Sequence, residues 1–128
     1  MVWALDSKGN LFVREGIFSH YQIGTSWVYV GGIEAIHVSI SGTSVWALGT
    51  DGRIYRRCGI SDKNYIGDFW KSIPGDFKMM TSSFTDDLWG VTQENKIMKL
   101  EYYIKTLDKK DGNGKEMQSE DVSWELVE

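Results

Sequence analysis

The sequence predicts an all-β chain, a partial β-propeller of about three four-stranded blades in which the first blade lacks one strand. Three observations carry this. Trp3, Trp46 and Trp89 stand 43 residues apart inside the related segments VWALDSKGNLFVR, VWALGTDGRIYRR and LWGVTQENKIMKL. The same spacing joins Gly9, Gly52 and Asn95, and also Arg14 with Arg57, Gly16 with Gly59, Gly24 with Gly67, Trp27 with Trp70, and Gly32 with Gly75. Within each unit, short alternating runs lie between turn signals, where a helical repeat would need an apolar stripe at 3.6-residue spacing. A period in the forties with turn glycines describes a propeller blade, which cannot bury its faces alone and must stack on neighbours.

The elements follow in order. Val2 to Leu5 leads through Ser7-Lys8-Gly9-Asn10 into Leu11 to Arg14, a hairpin closed by a glycine-bearing turn. Trp27 to Val30 is the next strand, and Gly32 precedes Ala35 to Ile40. The second unit repeats the order: Val45 to Leu48, the turn Thr50-Asp51-Gly52, Arg53 to Arg57, Phe69 to Ile73, then Gly75 before Phe77 to Ser82. In the third, Leu88 to Val91 and Lys96 to Tyr103 flank Asn95, which replaces the turn glycine because asparagine tolerates positive φ. Val122 to Val127 closes the unit. The repeats span 2–44, 45–87 and 88–128, with an insertion at about 106–117.

Blades counted from the run after each glycine give three strands, then four, then four. The chain therefore reads as starting one strand into a blade. Propellers close with about four to eight blades, so these blades are expected either to be the C-terminal portion of a longer polypeptide or to associate as copies, two of which supply six blades. In the fold so predicted, Trp3, Trp46 and Trp89 form a ladder between sheets.

The 41% apolar and 13% aromatic composition of the 128 residues is that of a folded domain. A net charge of −4 argues against a nucleic-acid partner, which needs a basic surface. The clusters Arg53-Arg56-Arg57 and Lys105-Lys109-Lys110 read as solvated strand and loop charge. One cysteine, Cys58, forms no internal disulfide, and no glycosylation acceptor or apolar run long enough to span a bilayer occurs. An intracellular, cytoplasmic protein is expected.

The unit VWALGTDGRIYRRCGIS…GDFWKSIPGDFKMMTSS, with its Trp-Ala, Asp-Gly, Arg-x-Gly-Ile, Trp-x-x-Ile-Pro-Gly and closing Ser pattern, resembles the tectonin β-propeller repeat. In the third unit Tyr102 and Tyr103 replace the Gly-Ile pair, and the interval to the next tryptophan is 11 residues longer. The resemblance implies one of two functions: sugar binding, as in soluble tectonin lectins, or non-enzymatic scaffolding in intracellular membrane trafficking and autophagy. Ser119 to Glu128 looks like the short motif that docks on ubiquitin-like autophagy modifiers, and within the autophagy group of the family a C-terminal propeller ending in such a motif is what this chain resembles. Such a motif adds a strand to a sheet edge while Trp124 and Val127 fill apolar pockets and Glu120 and Asp121 meet a basic rim. Trp124-x-x-Val127 also occupies the blade position of Trp27-x-x-Val30 and Trp70-x-x-Ile73, which favours Trp124 as the outer-strand tryptophan of the last blade over a docking residue.

For sugar binding, the recurring Arg14 and Arg57 with Tyr21 and Tyr65 nearby are the candidate residues; the alternative is that the arginines brace adjacent blades. No catalytic set emerges. His20, His37 and Cys58 fall on a loop, an inner strand and a strand end, and they do not align across the repeat. The insertion Asp108 to Glu116 fails the EF-hand spacing, because counting from Asp108 places Lys110 third and Asn113 sixth. It reads as a long, mobile polar loop. No cofactor or metal is expected.

Overall fold

The computed structural model describes residues 1–110, 112–114 and 116–127, and for 102–110 and 116–121 the backbone alone. The described residues form strands and no helix. Strands β1 (Trp3–Leu5), β2 (Leu11–Glu15) and β3 (Ser26–Val30) make the first sheet. The second comprises β4 (Ala35–Ile40), β5 (Val45–Gly49), β6 (Ile54–Cys58) and β7 (Phe69–Ile73); the third comprises β8 (Phe77–Ser82), β9 (Leu88–Thr92), β10 (Ile97–Lys110) and β11 (Glu116–Leu126). Each sheet is an antiparallel meander in chain order, giving blades of three, four and four strands.

The hairpin turns explain their residues. Gly9 and Gly52 have φ of 87° and 81°, and Asn95 takes 66° at the same place. Only glycine or a residue such as asparagine enters this region cheaply. Beside each turn a backbone bond crosses to the next blade: Ala35 N–H donates to the Gly9 carbonyl at 3.0 Å and Phe77 N–H to that of Gly52 at 2.7 Å.

Alternation sorts each strand between two faces. Trp3, Val13 and Val30 of the first blade pack with Val45, Val38 and Trp70 of the second. Leu11 meets Ala35 and Ala47. At the second junction Trp46, Leu48, Ile54 and Ile73 pack on Phe77, Met80, Leu88 and Leu100. Ser39 and Ser82 hydroxyls sit 2.6 Å apart across it. Asp86 reaches over the same junction to accept bonds from Ser41 Oγ, Thr43 N and Thr43 Oγ1.

Three expectations are corrected. Trp89 is half-buried on the face that no further described blade covers, whereas Trp3 and Trp46 are buried at 7% and 3% exposure. A ladder position is buried by the following blade, and the described residues include none after that of Trp89. The insertion read as a mobile loop is instead the outer part of a long hairpin, in which β10 and β11 pair from Met98 with Leu126 to Lys110 with Glu116. The pairing is regular as far as Thr106 with Gln118, and its register shifts before Lys110 pairs with Glu116. Arg57, read as solvated charge, is buried at 9% exposure, with its guanidinium over the Trp70 ring and its Nε bonded to the Ile66 carbonyl. Side chains of Lys105, Lys109 and Lys110 lie outside the described residues.

Candidate functional site

Two regions gather the residues singled out by the sequence. The first is a cleft between the first and second blades, about 540 Å³ in volume, with Met1, Arg14, Phe18, Thr43, Ile60 and Tyr65 among its lining. Its walls are the loops after β2 and β6. Each opens and closes on a glycine of positive φ, Gly16 and Gly24 in one, Gly59 and Gly67 in the other, and each contains a tight antiparallel bridge, Phe18 with Tyr21 or Ser61 with Asn64.

The recurring arginines hold these loops. Arg14 Nε donates to the Ile23 carbonyl at 3.0 Å, and Arg57 Nε donates to that of Ile66 at 2.9 Å. Each guanidinium lies 5.1 Å from the ring of its outer-strand tryptophan, Trp27 or Trp70. Burial lowers the Arg57 pKa from its usual value, an effect that Asp68 and Cys58 oppose. A fork spanning a carbonyl and an indole face suits arginine and not lysine. These contacts lie within each arginine's own blade and hold its loop and its tryptophan, which differs from the bracing of adjacent blades weighed above.

Of the four residues considered for sugar, the cleft brings together Arg14 and Tyr65. Tyr65 donates to Glu15 Oε2 across the blades at 3.3 Å, and burial together with Glu15 raises its pKa. Tyr21 is half exposed at a loop tip and Arg57 is buried; neither is on the lining. Sequence reasoning missed Phe18, Thr43 and Asp62, which line the cleft. They do not recur at the 43-residue period, so repetition could not flag them. The cleft's hydroxyls, carboxylate and aromatic rings are able to hydrogen-bond and stack on a polyhydroxylated ligand.

The second region is the C-terminal strand. β11 is an outer edge, paired with β10 on one side only. Trp124 is half-buried: its Nε1–H donates to the Pro74 carbonyl at 2.6 Å and its ring lies 4.5 Å from that of Phe77. Trp70 makes the equivalent bond to the Gly31 carbonyl at 3.1 Å. Trp124 thus occupies the outer-strand position in the blade. Val127 N–H donates to the Ile97 carbonyl at 2.9 Å. Val127 lies one residue beyond the end of β11. The side chains of Glu120 and Asp121 lie outside the described residues.

His20 is exposed and stacks on Phe18 with centroids 5.8 Å apart. His37 is exposed on β4, and Cys58 ends β6. These three sit on separate elements. Among the described residues no group of three His, Cys, Asp or Glu side chains could hold a metal ion, and no helix is long and apolar enough to cross a membrane.

Comparison with known proteins agrees with this architecture. The sequence model of the family described as Propeller matches residues 1–30 and 44–73, which cover the strands of the first blade and β5 to β7 of the second. The human tectonin beta-propeller repeat-containing protein 2 is 40% identical over 45 residues, 35% of this chain. The chain spans 3% of that relative's length. The crystal structure of human WBSCR16 is similar over 89% of this chain and 34% of its own, with a TM-score of 0.55 and 15% identity. That likeness concerns the fold alone.

Proposed function

We propose that this chain, whose residues 1–30 and 44–73 match the propeller family and which is similar over 45 residues to a tectonin repeat protein, works as a non-enzymatic protein-interaction scaffold of intracellular membrane trafficking or autophagy. Its C-terminal strand is the docking element for a ubiquitin-like autophagy modifier, with Glu120, Asp121, Trp124 and Val127 as the contacting residues. The observation that carries this reading is that Glu120, Asp121 and Trp124 belong to the edge strand β11, with Val127 just beyond its end. An edge strand offers unpaired backbone groups to a partner sheet. The last residues of such a strand also open most cheaply.

Docking and blade membership exclude one another for Trp124, since its indole is bonded to Pro74 and packed on Phe77. The partner therefore captures a released strand end, and the apparent affinity falls by the fraction released. A free peptide spanning Glu120 to Glu128 binds more tightly than the folded chain does. Calorimetric titration of a purified modifier into each tests this, with reversal of Glu120 and Asp121 weakening both. No heat from the peptide sinks the docking role.

Sugar binding is the second reading, favoured by the cleft that joins Arg14 and Tyr65. A glycan array with folded protein tests it, and a blank array removes it.

A further inference from the structure

We propose that Asn113 is a self-modifying position, whose carboxamide is displaced by the backbone nitrogen of Gly114 to leave aspartate and isoaspartate at the tip of the hairpin of β10 and β11. Gly112, Asn113 and Gly114 lie exposed between the end of β10 at Lys110 and the start of β11 at Glu116. Gly114 has φ of 77°, and an asparagine-glycine pair suits a hairpin turn because both residues tolerate positive φ. The same pair is chemically vulnerable. With no Cβ on Gly114, its nitrogen is unobstructed on the side from which the Asn113 side chain approaches, and even a Cβ built there would meet nothing within 4 Å.

The reaction needs no partner but water. The Gly114 nitrogen gives up its proton and bonds to Asn113 Cγ, the bond from Cγ to Nδ2 breaks, and ammonia leaves with that proton, which closes a succinimide. Water then opens the ring at one carbonyl or the other. One opening gives aspartate with the main chain restored. The other routes the main chain through Cβ as isoaspartate and adds a methylene to the turn. Either product adds a negative charge to a chain of formal charge −4, and isoaspartate lengthens a turn of the kind that sets strand register.

The molecule carries its own controls. Its other asparagines, Asn10, Asn64 and Asn95, precede Leu11, Tyr65 and Lys96, whose side chains crowd the attacking nitrogen. Each of the three side chains is also held in place. Asn10 Nδ2 donates to Asp6 Oδ2 at 3.0 Å, Asn64 Nδ2 donates to Asp68 Oδ1 at 2.9 Å, and Asn95 Oδ1 accepts from Lys78 Nζ. These bonds oppose the side-chain rotation that ring closure requires.

Incubation of the full chain at neutral pH and body temperature, followed by tryptic mass spectrometry, tests the assignment. Trypsin cuts after Lys110 and Lys115, so the peptide Asp111 to Lys115 contains Asn113 and no other asparagine. That peptide is expected to gain about 1 Da with time and to separate into two products on chromatography, faster at higher pH. Asn113→Gln is expected to remove the gain, because its longer side chain must close a larger ring. Asp111 also precedes a glycine, but its isomerisation leaves the mass unchanged and is not mistaken for the gain. A peptide of constant mass overturns the proposal. So does a gain no faster than in the peptides that contain Asn10, Asn64 or Asn95, a gain that yields aspartate without isoaspartate, or one that persists in Asn113→Gln.

Discussion

Asp86 is the carboxylate clamp between the second and third blades, and its removal has a calculable cost. Its carboxylate accepts a part-buried bond from Ser41 Oγ and two exposed ones from Thr43, with Oγ1 at 2.7 Å and N at 3.2 Å. A part-buried bond to a charged acceptor is worth about 1.5 kcal/mol, and the exposed pair adds about 0.5 kcal/mol after solvent screening. Asp86 also has φ of 66°, where alanine costs roughly 1 kcal/mol relative to glycine. Asp86→Asn, which keeps one acceptor oxygen, is expected to lose about 1 kcal/mol, and Asp86→Gly about the same because relief of φ offsets part of the lost clamp. Asp86→Ala loses about 2 to 3 kcal/mol. Urea unfolding measures the three, and a double-mutant cycle with Thr43→Val isolates the pairwise part, expected at about 0.5 kcal/mol or more. The Ser41 bond, with help from Thr43, lowers the Asp86 pKa in the folded state. A lowered folded pKa means that its stabilisation is complete above the unfolded value of about 3.9 and disappears as pH falls through the folded one. Asp86→Asn removes that acid-side loss. If Asp86→Ala unfolds at the wild-type urea concentration, the clamp is not what joins these blades; if it unfolds no more easily than Asp86→Gly, the positive φ of Asp86 carries no cost.

Other residues give further tests by the same unfolding assay. Asn95→Gly is expected to be neutral or to gain up to about 0.5 kcal/mol, whereas Asn95→Val loses about 1 to 2 kcal/mol at its φ of 66°. Arg57→Lys should cost about 1 kcal/mol more than Arg14→Lys, because Arg57 is buried while Arg14 is partly exposed, although both brace a loop carbonyl. Equal losses would mean that burial adds nothing. Trp124→Phe removes the bond to the Pro74 carbonyl and some contact with Phe77, for about 1 to 2 kcal/mol, while an unchanged midpoint would place Trp124 outside the blade.

The strands β4, β7 and β8 begin and end where the residue pattern puts them, and the three-four-four grouping follows from the positions of the glycines. Both are local properties. Alternation and positive φ are decided by a residue and its immediate neighbours, and a repeat reports them three times. β10 ran further than its pattern because Tyr102 onward matches no earlier unit, and pairing with β11 is a contact between distant residues. The cleft was half legible for the same reason: Arg14 recurs, while Phe18, Thr43 and Tyr65 come together from two blades without recurring.

From its residues alone this chain is a stack of antiparallel blades held by tryptophans, because hydrophobic period and turn chemistry are written along the backbone. Only the tertiary structure decided which tryptophans are buried. Trp3, Trp46 and Trp89 stand in one sequence position, yet burial is a property of what packs against a side chain, and among the described residues no following blade packs on the third. Likewise the segment ending in Val127 reads as a docking motif or a blade strand, and the bond from Trp124 to the Pro74 carbonyl, made 50 residues away, seats its indole in the blade.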